Sequence, residues 1–263
     1  MLTFVGLGLY DERSITLAGR DAIASADRVF AEFYTSRLVG ATVTDIEAFH
    51  DVDIEVRDRA GVEQTPDPVL DAAATGDAVF LTAGDTMIST THVDLRLRAE
   101  ARGIETRVIH GTSAQAAASS LTGLQNYRFG KATTLPFERS HGGDGVPASV
   151  VETIEDNAER DLHTLVFLDI DVDDDGEAYM AGDTAAELLA DHWRPDALGV
   201  VVARAGSPDP VIRADTLDTL ATMDFGDPLH LLLLPSSLHY IERDALATIA
   251  DAPESLLEEY LAE

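Results

Sequence analysis

Cysteine is absent from all 263 residues, which excludes disulfides and thiolate-held zinc or iron–sulfur sites and leaves no sign of an oxidising compartment. Lysine is nearly absent, Lys131 being the single one among 18 basic residues. No apolar run approaches the ~20 residues that cross a bilayer, the longest being Leu231 to Leu234 with its flanks. The N-terminus has no basic segment and meets Asp11 and Glu12 early, so no signal peptide is expected and the cytoplasm is the default location. The eight histidines fall in no HExxH or other ligand spacing, and no metal site is expected. A Gly-x-Ser-x-Gly elbow is also missing, and Arg204-Ala205-Gly206-Ser207-Pro208 reads as an ordinary turn.

What is abundant is acid. Asp and Glu number 48 against 18 basic residues, a formal charge of -30 on a chain that is 45% hydrophobic. The acids are scattered among periodic apolar segments, so they form a surface rather than a disordered tail. Such a surface repels itself in dilute buffer, but the Debye length falls to ~3 Å at 1 M salt and the repulsion is then screened. The composition therefore points to a salt-loaded cytoplasm, as in a halophilic archaeon. It argues against nucleic acid as a partner, because that needs Lys and Arg to replace phosphate counterions.

The first part of the chain alternates strands and helices. Strands are expected at Leu2 to Gly6, Arg28 to Phe33, Ala78 to Thr82 and Glu105 to Ile109, and helices from Ile15 to Ala26, around Pro68 to Ala74 and at His92 to Ala101. Gly76 and Gly103 stand where two of those helices should stop. This rhythm predicts a parallel sheet covered on both faces, a first α/β domain over residues 1–111. A second α/β domain with a mixed sheet is expected over 112–263. Its strands are Ala132 to Phe137, Leu162 to Leu168, Ala197 to Ala203 and Leu229 to Leu234, and its helices Ser113 to Ser120, Val146 to Ala158, Ala185 to Ala190, Thr216 to Leu220 and the tail Glu254 to Ala262. His141-Gly142-Gly143-Asp144-Gly145 reads as a flexible loop.

Behind Ala78 to Ala83 stands Gly84-Asp85-Thr86-Met87-Ile88-Ser89-Thr90-Thr91-His92. A strand ending in a Gly-Asp turn rich in donors and hydroxyls, then feeding a helix, is where open α/β sheets place ligands. Gly6-Leu7-Gly8 after the first strand invites the dinucleotide fingerprint, but Asp11 replaces its third glycine and the fingerprint fails. That turn either brings backbone close to a ligand or simply turns tightly. Asp171, Asp173, Asp175 and Gly176 imitate the start of an EF-hand loop, yet its closing glutamate falls at Gly182, so calcium is not expected. His230 and His239 bracket the last strand, as packing or capping groups.

Taken in order, GLGL at Gly6, the GD-M-TTH loop at Gly84, GTSA at Gly111, GLQNYRFGK at Gly123, FLDI at Phe167, ARAGS at Ala203 and PLHLLLLPSSLH at Pro228 resemble the diphthine synthases. These belong to the tetrapyrrole-methylase-like class of S-adenosylmethionine methyltransferases. The resemblance implies two α/β domains with the cofactor in the cleft between them, usually in a homodimer. It places cofactor contacts at Leu9, Asp85, Ile88, Ser113, Ala114, Leu168, Ala205 and His230, most of them through backbone or packing. The chain departs from the pattern at Thr86, where proline is usual, at Ala114, where isoleucine is preferred, and at Pro235-Ser236-Ser237, where the turn is ordinarily richer in Gly and Lys.

The same resemblance implies an activity. The family methylates the amino group of the 3-amino-3-carboxypropyl arm on one histidine of translation elongation factor 2, and in archaea three transfers give diphthine with S-adenosylhomocysteine as by-product. An in-line displacement by a free amine needs alignment and exclusion of water, and no metal or covalent intermediate. The residues themselves leave the catalytic group unknown, with Asp85 either a partner for the cofactor's positive groups or a helix cap. Two alternatives remain at this point: a corrin-type tetrapyrrole methylase, and a non-enzymatic nucleotide-binding α/β protein.

Overall fold

Along β1 (Leu2–Gly6) the side chains alternate. Leu2 and Phe4 enter an apolar cluster with Phe30, Leu70, Phe80 and Leu95, while Val5 enters another with Ile23, Val29, Ile46 and Leu81. A strand buried on both faces must lie between two layers. Each such buried side chain contributes roughly 1.5–3 kcal/mol relative to exposure. The computed structural model describes residues 1–143, 145–173 and 176–262, and the chain divides into two compact units, Met1–Ala114 and Gln115–Glu263.

In the first unit β1 is joined by β2 (Arg28–Glu32), β3 (Ile54–Val56), β4 (Ala78–Thr82) and β5 (Thr106–Ile109). Among the described residues they form a five-stranded sheet in the order β3-β2-β4-β1-β5 with every pair parallel. Helices Asp67–Thr75 and His92–Ala101 pack Leu70, Ala73, Leu95 and Ala99 on one face, and Leu17–Ala24 and Val43–His50 pack Ile23 and Ile46 on the other. Parallel crossovers carry each loop that follows a strand to the same edge of the sheet, where open α/β folds hold ligands.

The expected strand Ala78 to Thr82 is β4 residue for residue, and the glycine stops fall where anticipated. Gly103 closes its helix at φ +73, whereas Gly76 ends its helix in extended backbone, where a Cβ would collide with the Asp27 carboxylate. Helices Val43–His50 and Arg59–Glu63 and the short, half-exposed edge strand β3 had no expectation behind them.

The second unit contains β6 (Thr133–Leu135), β7 (Thr164–Leu168), β8 (Ile170–Asp173), β9 (Gly176–Tyr179), β10 (Leu198–Ala203), β11 (Val211–Thr216) and β12 (His230–Leu234). Its five-stranded sheet runs β11-β10-β12-β7-β6 among the described residues, with β6 parallel to β7 and the other pairs antiparallel. Val166, Leu168, Val201, Leu232 and Leu234 pack against Val150 and Ile154 of helix Ala148–Ala158 and Ala185, Ala186 and Leu189 of helix Gly182–His192. β8 and β9 form a ribbon that takes in Asp171, Asp173 and Gly176 of the EF-hand-like run, and Asp171 pairs with Arg139 at 2.8 Å. Asp175 of the EF-hand-like run and Asp144 of the expected flexible loop lie outside the described residues. The tail is helical over Glu254–Glu259.

A buried polar tie holds the second unit's C-terminal half. The fully buried Glu242 accepts the N–H of Gln125 at 2.8 Å and of His239 at 2.9 Å, His163 Nε2 at 3.0 Å and Arg128 Nη1 at 2.7 Å. Burial pushes this carboxyl up, but the His163 hydrogen bond and the two backbone donors outweigh it and hold the group down at about 2. A carboxyl lowered on folding contributes stability that is present above its ordinary value near 4.5 and is lost as pH falls through about 2. Denaturant unfolding between pH 5 and 2 is therefore expected to show an acid-limb loss in the parent that exceeds that of Glu242→Gln by about 2–3 kcal/mol. Equal acid limbs in the two proteins would remove Glu242 from the account.

Candidate active site

The turns after β1, β4 and β5 leave the sheet at one edge, and they carry Leu9, Asp85, Ile88, Ser113 and Ala114 together. Glycine is what lets these turns approach. Gly8 donates to the Gly84 carbonyl at 3.2 Å and accepts the Gly84 N–H at 2.6 Å, and both residues have positive φ. A Cβ on Gly6 would lie 2.5 Å from the Gly111 nitrogen and 2.6 Å from the Gly84 oxygen. The GLG turn thus packs backbone on backbone, while the outer side of Gly84 is open, with nothing within 4 Å of where its Cβ would be.

Asp85 is 7% exposed. Its Oδ1 accepts the Met87 N–H at 2.9 Å and its Oδ2 meets His110 Nδ1 at 2.8 Å. It does not cap helix His92–Ala101, whose N-cap is Thr91 with no side-chain hydrogen bond. The capping alternative for Asp85 is therefore replaced by a tight turn plus an imidazole contact. Ile88 stands 45% exposed beside it, an apolar side chain at a polar edge. Leu9, Ser113 and Ala114 are partly buried.

The loop is fastened from below. Thr86, at the position where proline is usual in the family it resembles, is fully buried, and its carbonyl lies 3.2 Å from His92 Nδ1. His92 Nε2 lies 3.3 Å from the equally buried Glu32, which also accepts the Tyr34 and Thr35 N–H groups. Burial pushes His92 down, toward the neutral ring, against the pull of Glu32. The histidine of the GD-M-TTH motif is thus an anchor between β2 and the loop.

The second unit gathers the other expected residues at one edge of its own sheet. Leu168 ends β7, Ala205 follows β10 and His230 opens the antiparallel β12, where it pairs with Ala203. The His230 ring is spent on the protein: Nδ1 accepts the Gly182 N–H at 2.9 Å and Nε2 donates to the Asp227 carbonyl at 2.9 Å. Burial pushes its pKa down, so the ring is held fixed and toward its neutral form. Arg204 turns the ARAGS segment at φ +54, held by its guanidinium on the carbonyls of Phe225 at 2.7 Å and Asp227 at 3.0 Å. His239 is the N-cap of helix Tyr240–Ile249, in a capping box with Glu242.

Three partners escaped the sequence reading: His110 for Asp85, Asp227 for both Arg204 and His230, and Glu242 for Arg128. Only the last had a signal, since GLQNYRFGK was already conspicuous. Among the described residues no group of three or more His, Asp or Glu is placed to hold a metal ion, and no helix is long and apolar enough to cross a membrane.

Comparison with known proteins identifies the family. Residues 1–221 match the family model of tetrapyrrole (corrin/porphyrin) methylases. The diphthine synthase of Halobacterium salinarum is 71% identical over 98% of this chain and 100% of its own length. That of Natronomonas pharaonis is 69% identical over 98% of each chain, and that of Methanosarcina acetivorans 47% identical over 98% of this chain and 99% of its own. A diphthine synthase crystal structure superposes with a TM-score of 0.90 at 38% identity, covering 98% of both chains. The structure titled a putative diphthine synthase from Entamoeba histolytica gives 0.81 at 32% identity, over 100% of this chain and 99% of that one.

Proposed function

Because the chain belongs to the tetrapyrrole methylases and, within them, to the diphthine synthases, we propose that it transfers methyl groups from S-adenosylmethionine to elongation factor 2. The acceptor is the amino group of the 3-amino-3-carboxypropyl arm on one histidine of that factor, and three transfers give diphthine. Full-length identity to diphthine synthases carries the reading.

The residues present fit the donor. Asp85 presents a carboxylate fixed by its turn, with lone pairs left for an ammonium or a ribose hydroxyl. Gly84 leaves an open approach to backbone, and Ile88 and Leu9 offer apolar surface. When bound, S-adenosylmethionine supplies an electrophilic methyl group. The chain's own task is to hold donor and acceptor in line and keep water out, which is worth several kcal/mol of barrier.

We place the enzyme as a homodimer in a salt-loaded cytoplasm. The charge of -30 supports the second half of that statement, and the resemblance to the family the first. Transfer of labelled methyl in multimolar KCl tests the activity: elongation factor 2 bearing the arm should be labelled, and factor with the unmodified histidine should not. Labelling of neither, with donor binding demonstrated, rejects the reading.

Asp85→Ala is expected to weaken S-adenosylmethionine binding at least about tenfold by calorimetry. One lost turn bond is worth about 1 kcal/mol, so Tm should fall by only about 2–4 °C. Unchanged affinity with a large fall in Tm would make Asp85 purely structural.

A further inference from the structure

His163 and His230 each spend both ring nitrogens on protein groups, Ser236 and Glu242 for the first and Gly182 and Asp227 for the second, and His92 is fully buried with its Nδ1 on the Thr86 carbonyl. His110 is built differently. Its Nδ1 is held 2.8 Å from Asp85 Oδ2, and its side chain is 73% exposed against 5% for the aspartate. The Met87 N–H on Oδ1 fixes the carboxylate plane. An ionised carboxylate accepts only, so Nδ1 carries the proton and, in the neutral ring, Nε2 carries the lone pair. No protein partner occupies Nε2 among the described residues. Asp85 is also the one carboxylate within ion-pair reach of His110 there, and Gly6 and Gly84, packed against the next residue Gly111, bring backbone alone.

A buried carboxylate that orients an imidazole whose other nitrogen faces outward is the arrangement of a general base. Resting on the methyl-transfer reading above, we propose that His110 accepts the proton of the substrate nitrogen before methyl transfer, with Asp85 as its positioning partner. The neutral nitrogen then forms the N–C bond as the C–S bond breaks, the bonding pair leaving with sulfur. Each cycle turns an ammonium into a singly more methylated ammonium and releases one proton, which passes through Nε2 to solvent.

The need is greatest after the first cycle. An α-amino group of pKa ~8 is neutral in about a tenth of molecules at pH 7, so the first transfer can start from amine deprotonated in solution. The second and third start from an ammonium formed inside the site, and His110 is the group placed to relieve it.

The test is a single-turnover time course of methyl states by mass spectrometry. It uses wild type, His110→Ala and His110→Gln at pH 7 and pH 9.5 in multimolar KCl, with the S-adenosylmethionine Kd of each by calorimetry. Both variants should bind the donor within about twofold of wild type and melt normally, His110 being exposed. At pH 7 they should slow the second transfer at least about tenfold and accumulate monomethyl product. At pH 9.5, where solvent deprotonates the amine, the deficit should shrink below about threefold. Added imidazole should partly restore His110→Ala at pH 7.

Wild-type kinetics in the variants would overturn the proposal. So would a deficit equal at both pH values without imidazole rescue, or a loss of donor binding that accounts for the rate. Absence of any methylation by wild type with donor bound would instead reject the underlying reading, and the proposal with it.

Discussion

Glu242→Ala is expected to destabilise the protein by about 3–5 kcal/mol, because it leaves a half-buried cation, a buried imidazole and two backbone donors without their shared acceptor. Arg128 loses its 2.7 Å partner, His163 its 3.0 Å partner, and the Gln125 and His239 N–H groups lose theirs. At roughly 2–4 °C per kcal/mol for a domain of 150–250 residues, the fall in Tm should be about 10 °C or more. Tyr127→Ala on the same turn removes a side chain that is 76% exposed and should cost under about 0.5 kcal/mol. Denaturant unfolding of both variants in multimolar KCl makes the comparison. A Glu242→Ala loss below about 1 kcal/mol would mean that the tie is ornamental and that helix Tyr240–Ile249 is held by apolar packing alone.

The other large effect belongs to Gly111. A Cβ there would overlap the Gly84 carbonyl and lie 2.8 Å from the Gly6 carbonyl carbon. All of these are backbone atoms, so none can rotate away. Gly111→Ala must push apart the turns after β1, β4 and β5, at about 1–3 kcal/mol of strain. A displacement near 1 Å in a site that aligns two reactants costs about a hundredfold. We therefore expect a comparable loss of methyl transfer and weaker binding of S-adenosylmethionine in a folded protein. Gly103→Ala is the matched control: its φ of +73 makes alanine strained by about 1 kcal/mol, but nothing lies within 4 Å of the added methyl, and it stands at a helix end away from the turns. Equal donor affinity for Gly111→Ala and the parent would show that the glycine contact is not what shapes the site.

The contrast between those two glycines also shows what was legible in the sequence. The α/β class was readable because β1, β4, β10 and β12 are apolar runs buried on both faces, separated by helices with clear stops. β3 and β11 were not. β3 has three half-exposed residues, and β11 begins next to a turn and alternates buried with open positions at the sheet edge, so neither presents a run of apolar residues.

At the site, the Gly-Asp loop, the GLG turn and the GTSA turn were recognisable one by one, and parallel crossovers explain why they meet. Which atoms meet was not recognisable. Asp85 and His110 are 25 positions apart, and only the registers of β4 and β5 against β1 bring them together. Gly6 and Gly8 look like a phosphate cradle in one dimension, yet in three they pack against other backbone. The most distinctive motif, GLQNYRFGK, has its arginine turned inward onto Glu242. A segment can thus mark a family through the fold it secures as well as through the chemistry it performs.

The central claim is tested most directly by mass spectrometry of elongation factor 2 that carries the unmethylated 3-amino-3-carboxypropyl histidine. The factor would be incubated with this protein and S-adenosylmethionine in multimolar KCl. The account predicts a gain of three methyl groups, all on that histidine. No gain, with donor binding confirmed in the same salt, would contradict it.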